Sequence, residues 1–409
     1  MKYSHPAEIP LSKTLFFDWA GERMPLAEKN QAGDTHPQTW ADDDEIYVGT
    51  GDPGWYEKDG KYICFHDGSN MWEPYHLSGM SGLAAECFYG GPEDLKLRRV
   101  NDMPGFVGYG GQGPKPSGMI CIGGVLYYAA QNLLGGKTPP WRAGSQHGSD
   151  ATIISSRDHG KTWEPDLNAV LRDFYDTNWD GPNYKWRIDE EGRIGWKDWE
   201  PMFPGPEFGG PSFVQFGKNN EGAPDDYVYA ISGDQWDNGR FLRLGRVCVN
   251  HIQDRDKWEF ASIDGSGNPV WHKDIKASEP ILDIEGHIGL PEMVYIKSLK
   301  KFILLTWSCH TDFYTPTGSE LTILESDNIW GPFSLVHYEW MWEKRALCAY
   351  TPRVPLKWFD NETLEGYILH SGNWGYQKPD GSWQGYPEYY RPHIRKFKFS
   401  LRDDPKREK

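Results

Sequence analysis

The sequence predicts an all-β chain, a five-bladed β-propeller with about four strands per blade, and three observations predict it. Glycine and proline are frequent, 46 and 30 of 409 residues, which interrupts long helices and suits short strands joined by turns. Apolar strand pairs recur five times at broad intervals along the chain. Four of those pairs are trailed by a polar turn that ends in tryptophan. Repetition of this kind marks a stacked or radial architecture, and radial repetition leaves only short, protected sheet edges.

The first unit is Glu45-Ile-Tyr-Val-Gly-Thr-Gly-Asp52. A short strand ending at Trp40 and Ala41 precedes it, with a tight turn at Asp42 to Asp44, where Asx side chains bond their own backbone. The second runs from Gly118 to Asn132. The third joins Ser212-Phe-Val-Gln-Phe216 to Asp226 through Asp234, the fourth spans Pro291 to Cys309, and the fifth joins Tyr350 through Trp358 to Gly366 through Gly372. Each alternates or runs apolar over a strand length. After the second unit stands Ser156-Arg-Asp-His-Gly-Lys-Thr-Trp163, which resembles at every fixed position the Asp-box of sialidase-like propellers, a structural turn facing away from the active site. Looser echoes are His66 to Trp72, Asp254 to Trp258 and Ser326 to Pro332. The fifth unit has none, so a strand from the other terminus is expected to close it, with Leu15-Phe-Phe17 and Arg395 to Phe399 as candidates. The whole chain, 1–409, reads as one domain with a loop insertion at 166–203. Six blades are the alternative, because the Trp-rich stretch from Asp166 to Phe203 is long enough to hide one.

Composition excludes several function classes. The net charge of −16 argues against a nucleic-acid partner, whose phosphates need clustered Lys and Arg. Aromatic residues make up 15% of the chain, with 20 Trp, and an acidic, Trp-rich cleft suits a carbohydrate substrate. The cysteines (Cys64, Cys87, Cys121, Cys248, Cys309, Cys348) lack zinc spacing and are expected as buried thiols. No His-x-His or His-x-x-x-His occurs, so no metal site is expected. The N-terminus lacks an apolar signal core and no 18-residue apolar run occurs, so the chain as given reads as soluble, with no membrane partner. Its compartment is left open, secreted or periplasmic if a signal was removed. There is no Gly-x-Ser-x-Gly, P-loop or dinucleotide fingerprint. Asp173 to Gly181 carries oxygen donors without EF-hand spacing, so no cofactor is expected and a structural calcium remains the alternative.

The innermost strands of a propeller line a funnel, and the loops entering them present side chains to its mouth. Asp34 and Asp52 stand out because no turn requires them. If Asp34 precedes the first strand and Asp52 follows the second, one hairpin brings both to one end, and two carboxylates at a mouth are the minimum for cleaving a glycosidic bond. Glu292, after Pro291 at a strand start, is the third candidate acid. The expected substrate contacts are His36 and Asp43 from the first unit, Gln131 from the second, and Asp234, Trp236 and Arg240 from the third. His287 joins them from the fourth, with Arg353 and Trp374 from the fifth. Arginine supplies planar forks and tryptophan supplies stacking platforms. Plainer roles stand beside these: Ser-Gly-Asp234 and Thr-Gly-Asp52 also fit a repeated structural turn, and tryptophans also cover blade faces.

The segment Thr39-Trp-Ala-Asp-Asp-Asp-Glu-Ile-Tyr47, followed by Gly51-Asp52, resembles the opening of a bacterial and fungal family that includes endo-D-arabinanases. Leu290 to Leu304 and Trp330-Gly-Pro332 look like its fourth blade. The resemblance implies a five-bladed propeller with Asp34 and Asp52 as paired catalytic carboxylates, while the insertion at 166–203 leaves the substrate open. The expectation is a glycoside hydrolase of a polysaccharide or oligosaccharide. A polysaccharide lyase using His36 or His147 with a Tyr and an Arg, and a non-catalytic glycan-binding propeller, are the rivals.

Overall fold

The computed structural model describes residues 2–25, 33–51, 55–58, 61–64, 83–94, 96–103, 115–131, 148, 150–166, 201–309, 318–343, 348–373, 375–378, 380–385 and 389–402. Most of the 166–203 insertion, the Asp173 to Gly181 segment, Asp52, His147, Trp374 and the His66 to Trp72 turn lie outside the described residues.

All five strand pairs read from the sequence are antiparallel neighbours. In the first sheet Gln38–Trp40 pairs with Ile46–Gly51, then Leu83–Tyr89 and Lys96–Met103. The second orders Lys115–Ile122, Val125–Gln131 and Thr152–Ser156. Its central hairpin turns on Gly123 and Gly124, both with φ positive, at 57° and 76°. A two-residue hairpin turn of this twist favours glycine. The third sheet begins with Ser212–Phe213 and Tyr227–Gly233, continues through Gly239–Cys248 to Leu282–Ile288, and adds Lys2–Tyr3 in parallel at its edge. The fourth runs Glu292–Ile296, Lys301–Ser308, Glu320–Ser326 and Ser334–Trp340. The fifth starts with Tyr350–Arg353 and Glu365–Ser371, and closes as expected from both termini: Pro392–Leu401 pairs with Leu15–Pro25, setting Phe17 opposite Phe399.

Packing follows from the two-residue period of the strands. Ile46 and Val48 face the fifth sheet, beside Trp358, Leu369 and Ile394. Tyr47 between them faces the second, beside Met119, Leu126 and Tyr128. Ile120, Ala129 and Ile153 meet Phe213, Val228 and Ala230 across the next seam, whereas Val214, Tyr229 and Ile231 turn to Met293 and Leu304. Val294, Ile303 and Leu305 pack on Val354, Ile368 and Phe397. Both faces of each sheet are therefore buried, which is why the strands read as apolar runs rather than clean alternation. Each aliphatic side chain sealed in a seam contributes about 1.5–3 kcal/mol.

The turn from Ser156 to Trp163 is closed from within. Asp158 accepts from the Thr162 amide (2.9 Å) and hydroxyl (2.7 Å), and Ser156 Oγ accepts from the Gly160 amide at 2.8 Å. Burial raises the Asp158 carboxyl, but the Thr162 bonds and a bond donated by Ser156 Oγ at 2.8 Å outweigh it and bring it down to about 2. The Trp163 indole donates to Gly160 O at 2.9 Å and packs edge-on to Tyr128. Cys87, Cys121, Cys248, Cys309 and Cys348 are free thiols, and no described helix is long and apolar enough to cross a membrane.

Candidate functional site

One guanidinium lies at the meeting point of the sheets. Arg353, wholly buried, donates to Pro291 O (2.8 Å), Ser212 Oγ (3.2 Å), Thr35 O (3.4 Å) and Ser117 O (3.5 Å). Those four groups come from the fourth, third, first and second sheets, so Arg353 ties the start of every innermost strand to the fifth. Glu292 sits beside it, accepting from Gln38 Nε2 at 3.2 Å and from the Val354 amide. Burial raises the Glu292 carboxyl, opposed by the Arg353 charge, the Val354 amide and Gln38. Burial also lowers Arg353, against the pull of Glu292, to about 10, so it keeps its charge at neutral pH. The expectation of Arg353 as a sugar fork and of Glu292 as an acid at the mouth is therefore corrected. Their hydrogen-bonding groups are engaged by the chain itself, because a buried charge persists only when paired and hydrogen-bonded.

A buried cluster of polar and aromatic residues lies up the strands from this hub. Tyr350 stands three positions before Arg353, about 10 Å of strand, and donates its hydroxyl to Asp34 Oδ2 at 3.0 Å. Asp34 is only 3% exposed. Its backbone is bridged to Gly51 by two bonds, 2.8 and 2.9 Å, which brings the two ends of the first hairpin together. A side chain on Gly51 would collide with Asp34 Oδ1, so glycine is required there for steric reasons. His36 Nδ1 meets Ser371 Oγ at 3.0 Å, while its Nε2 and both amide atoms of Gln131 have no hydrogen-bond partner among the described residues. Burial, then the charges of Arg353 and His370, push His36 down to about 3, so the ring is neutral and a weak proton acceptor. Thr35, His36, Cys348 and Thr351 all carry positive φ, between 38° and 64°. Such backbone strain in non-glycine residues collects at functional sites.

A loop from the third sheet folds inward over this cluster. Trp236, 1% exposed, packs 5.1 Å from Trp307 and 5.5 Å from Tyr350, and its carbonyl accepts from the Leu290 amide at 2.9 Å. On its other side the loop approaches Gly148 so closely that a Cβ there would lie 3.4 Å from both the Trp236 nitrogen and Gln131 Oε1. The loop is set by Asp234, whose Oδ1 accepts from the Arg240 (2.8 Å) and Phe241 (3.1 Å) amides. Asp234 thus takes the structural-turn role.

Three further positions differ from expectation. Asp43 lies at the opposite end of the hairpin from Asp34, where it accepts from the Tyr47 hydroxyl at 2.8 Å and the Glu45 amide at 3.1 Å. The strand Gln38–Trp40 stands between the two. Arg240 turns to Asp283 through bonds of 2.6 and 3.0 Å on the outer part of its sheet. His287 is paired at 2.6 Å with Glu320 in the seam of the third and fourth sheets, under His5. Sequence reasoning missed Tyr350 and Trp307 as residues of the cluster around Asp34. The available signal was their position, at the first residue of an innermost strand and near the last residue of its neighbour's second strand.

No family model matches the chain, and no curated protein matches it. Among solved structures, a Bacteroides ovatus protein described as a hydrolase is similar over 91% of this chain and 87% of its own, at 12% identity and a TM-score of 0.50. The catalytic domain of the GH62 α-L-arabinofuranosidase of Coprinopsis cinerea covers 94% of this chain and 98% of its own at 10% identity, with a TM-score of 0.44. An N-acetylgalactosamine deacetylase from F. plautii covers 96% of each chain at 12% identity, with a TM-score of 0.43. At such identities the likeness is one of fold, and it agrees with the ring of sheets: the chain is a β-propeller.

Proposed function

We propose that this propeller, read as five blades, is a glycoside hydrolase acting on a polysaccharide or oligosaccharide, with Asp34 as the central carboxylate. The observation that carries the reading is the Asp34–Tyr350 bond in the buried cluster, read as the propeller mouth, backed by Trp236 and Trp307. A carboxylate oriented by a buried phenol is prepared to act as base or nucleophile, while the His36 Nε2 and Gln131 amide, without partners among the described residues, are polar groups that a bound hydroxyl would satisfy. The resemblance of the first unit to the arabinanase-containing family supplies Asp52 as the paired acid and leaves the sugar unnamed. The reaction needs carboxylates and water only.

A lyase reading requires a histidine that accepts a proton near neutral pH, which the neutral, buried His36 disfavours. The test is reducing-end release over a panel of polysaccharides by the wild type, Asp34→Asn and Asp52→Asn, with folding checked by circular dichroism. Activity lost in both variants supports the hydrolase. Absorbance of an unsaturated uronide among the products would establish the lyase instead, and sugar binding that survives both substitutions without any new reducing ends would establish the binding propeller.

A further inference from the structure

Hydrolysis of a glycosidic bond needs a proton donor on the leaving-group side, separated from the base by several ångströms. Asp34 is the base of the reading above, and Asp52 lies outside the described residues. Glu292 is held on the axis by Gln38 and Val354, Asp234 caps its own loop, and Glu320 is paired with His287. The inward loop carries one more carboxylate, Asp237, next to Trp236. Two residues beyond Trp307 stands Cys309, whose Sγ lies 3.8 Å from Asp237 Oδ2. Two residues before Tyr350 stands Cys348, whose thiol is pushed up to about 12 by burial and then by the charge of Asp237. Asp237 is therefore bracketed by the fourth and fifth sheets, around the same Trp236–Trp307–Tyr350 cluster that holds Asp34. Unlike Asp34 it is half-exposed, in reach of a chain entering from solvent.

We propose that Asp237, in place of the Asp52 that the resemblance supplies, is the proton donor of this mouth, the partner that Asp34 meets from across the aromatic cluster. The proposal rests on the glycosidase reading and assigns its acid. As the bond between the anomeric carbon and the leaving oxygen breaks, that oxygen takes the Asp237 proton and departs as an alcohol. The oxygen of a water joins the anomeric carbon and gives its proton to Asp34, so one water is consumed and each carboxyl ends in the other's starting state.

The test compares Asp237→Asn, Asp237→Glu and Asp34→Asn on a polysaccharide cleaved by the wild type and on the 2,4-dinitrophenyl glycoside of the same sugar, whose leaving group needs no proton. Asp237→Asn is expected to lose about 100-fold or more on the polysaccharide, stay within about fivefold on the dinitrophenyl glycoside, and lose the basic limb of its pH profile. Asp237→Glu recovers part of that loss. Asp34→Asn loses both activities. Equal losses on the two substrates in Asp237→Asn, or none, overturn this assignment and leave the glycosidase reading standing, whereas a wild type silent on every substrate overturns both. A substrate-free arm follows the Asp237 carboxyl by carbon NMR in protein labelled at Asp Cγ. Removing the charge of Asp34 by Asp34→Asn is expected to move the Asp237 midpoint down by at least about 0.3 pH units, with Cys309 and Cys348 as the other titratable neighbours. An unmoved midpoint overturns the shared mouth.

Discussion

The first hairpin carries aspartates at both ends, and the two ends do opposite things. At one end Asp34 is buried and bonded by Tyr350, two residues before a neutral His36 whose Nε2 has no hydrogen-bond partner among the described residues. At the other, Asp42, Asp43 and Asp44 stand in solvent. There His159 binds Asp42 at 2.9 Å, and Lys218 and Lys357 approach Asp44 at 3.4 and 3.3 Å. His159, Asp42 and Asp43 also form the one described group with metal-like spacing, already closed by its own hydrogen bond. The side-chain type is the same, so the difference lies in what the fold packs around it. The buried end has few donors and strained backbone, whereas the exposed end has counter-ions and water.

The largest expected effect would break this contrast outright. Asp34→Asn should lower reducing-end release at least about 1000-fold, while Asp43→Asn should leave it within about twofold. Comparable losses at both ends would sink the distinction. Next comes the hub beneath the mouth. Arg353→Met leaves Glu292 buried without its compensating charge and should cost about 3–5 kcal/mol, read as a lower urea midpoint. Adding Glu292→Gln should recover part of it, and a double variant no better than the single would show that Arg353 acts only through its other four bonds.

The buried histidines sharpen the contrast through pH. His36 and His370 are each held at about 3, first by burial and then by nearby positive charge, against about 6.5 in an unfolded chain. Between those values the unfolded chain binds protons that the folded one refuses. The stability from these rings is therefore complete above pH 6.5 and lost as pH falls toward 3. The melting temperature should drop by roughly 10 °C from pH 7 to pH 4, and His370→Gln should flatten that slope. An unchanged slope would rule the ring out as its source. The smallest effect belongs to the exposed end: Asp42→Asn, which removes a surface pair with His159, should change stability by no more than about 1 kcal/mol in the same melts.

Much of the fold was legible because it rests on local pattern. Gly123-Gly124 and Asp42 to Asp44 made hairpin turns, apolar strand runs made the seams, and the two termini closed the fifth sheet as their apolar runs suggested. The site was legible only where a residue had no local task. Asp34 stood out in that way and is buried where the ends of the first hairpin meet, bonded by Tyr350. Asp234 and Asp43 looked alike in sequence but serve turns, and Arg353 looked like a ligand fork but is spent on the carbonyls and hydroxyl of four sheets. Tyr350 and Trp307 carried no motif at all.

The sequence by itself determined the all-β class, the strand pairs and the closing termini, since each depends on neighbours a few residues away or on composition; of the expected buried thiols, Cys87, Cys121, Cys309 and Cys348 are buried and Cys248 is half-buried. Only the tertiary structure decided which polar groups meet. A hydrogen bond such as Tyr350 to Asp34 joins residues more than three hundred positions apart. What fixes such a contact is the closure of the ring, which no local pattern encodes.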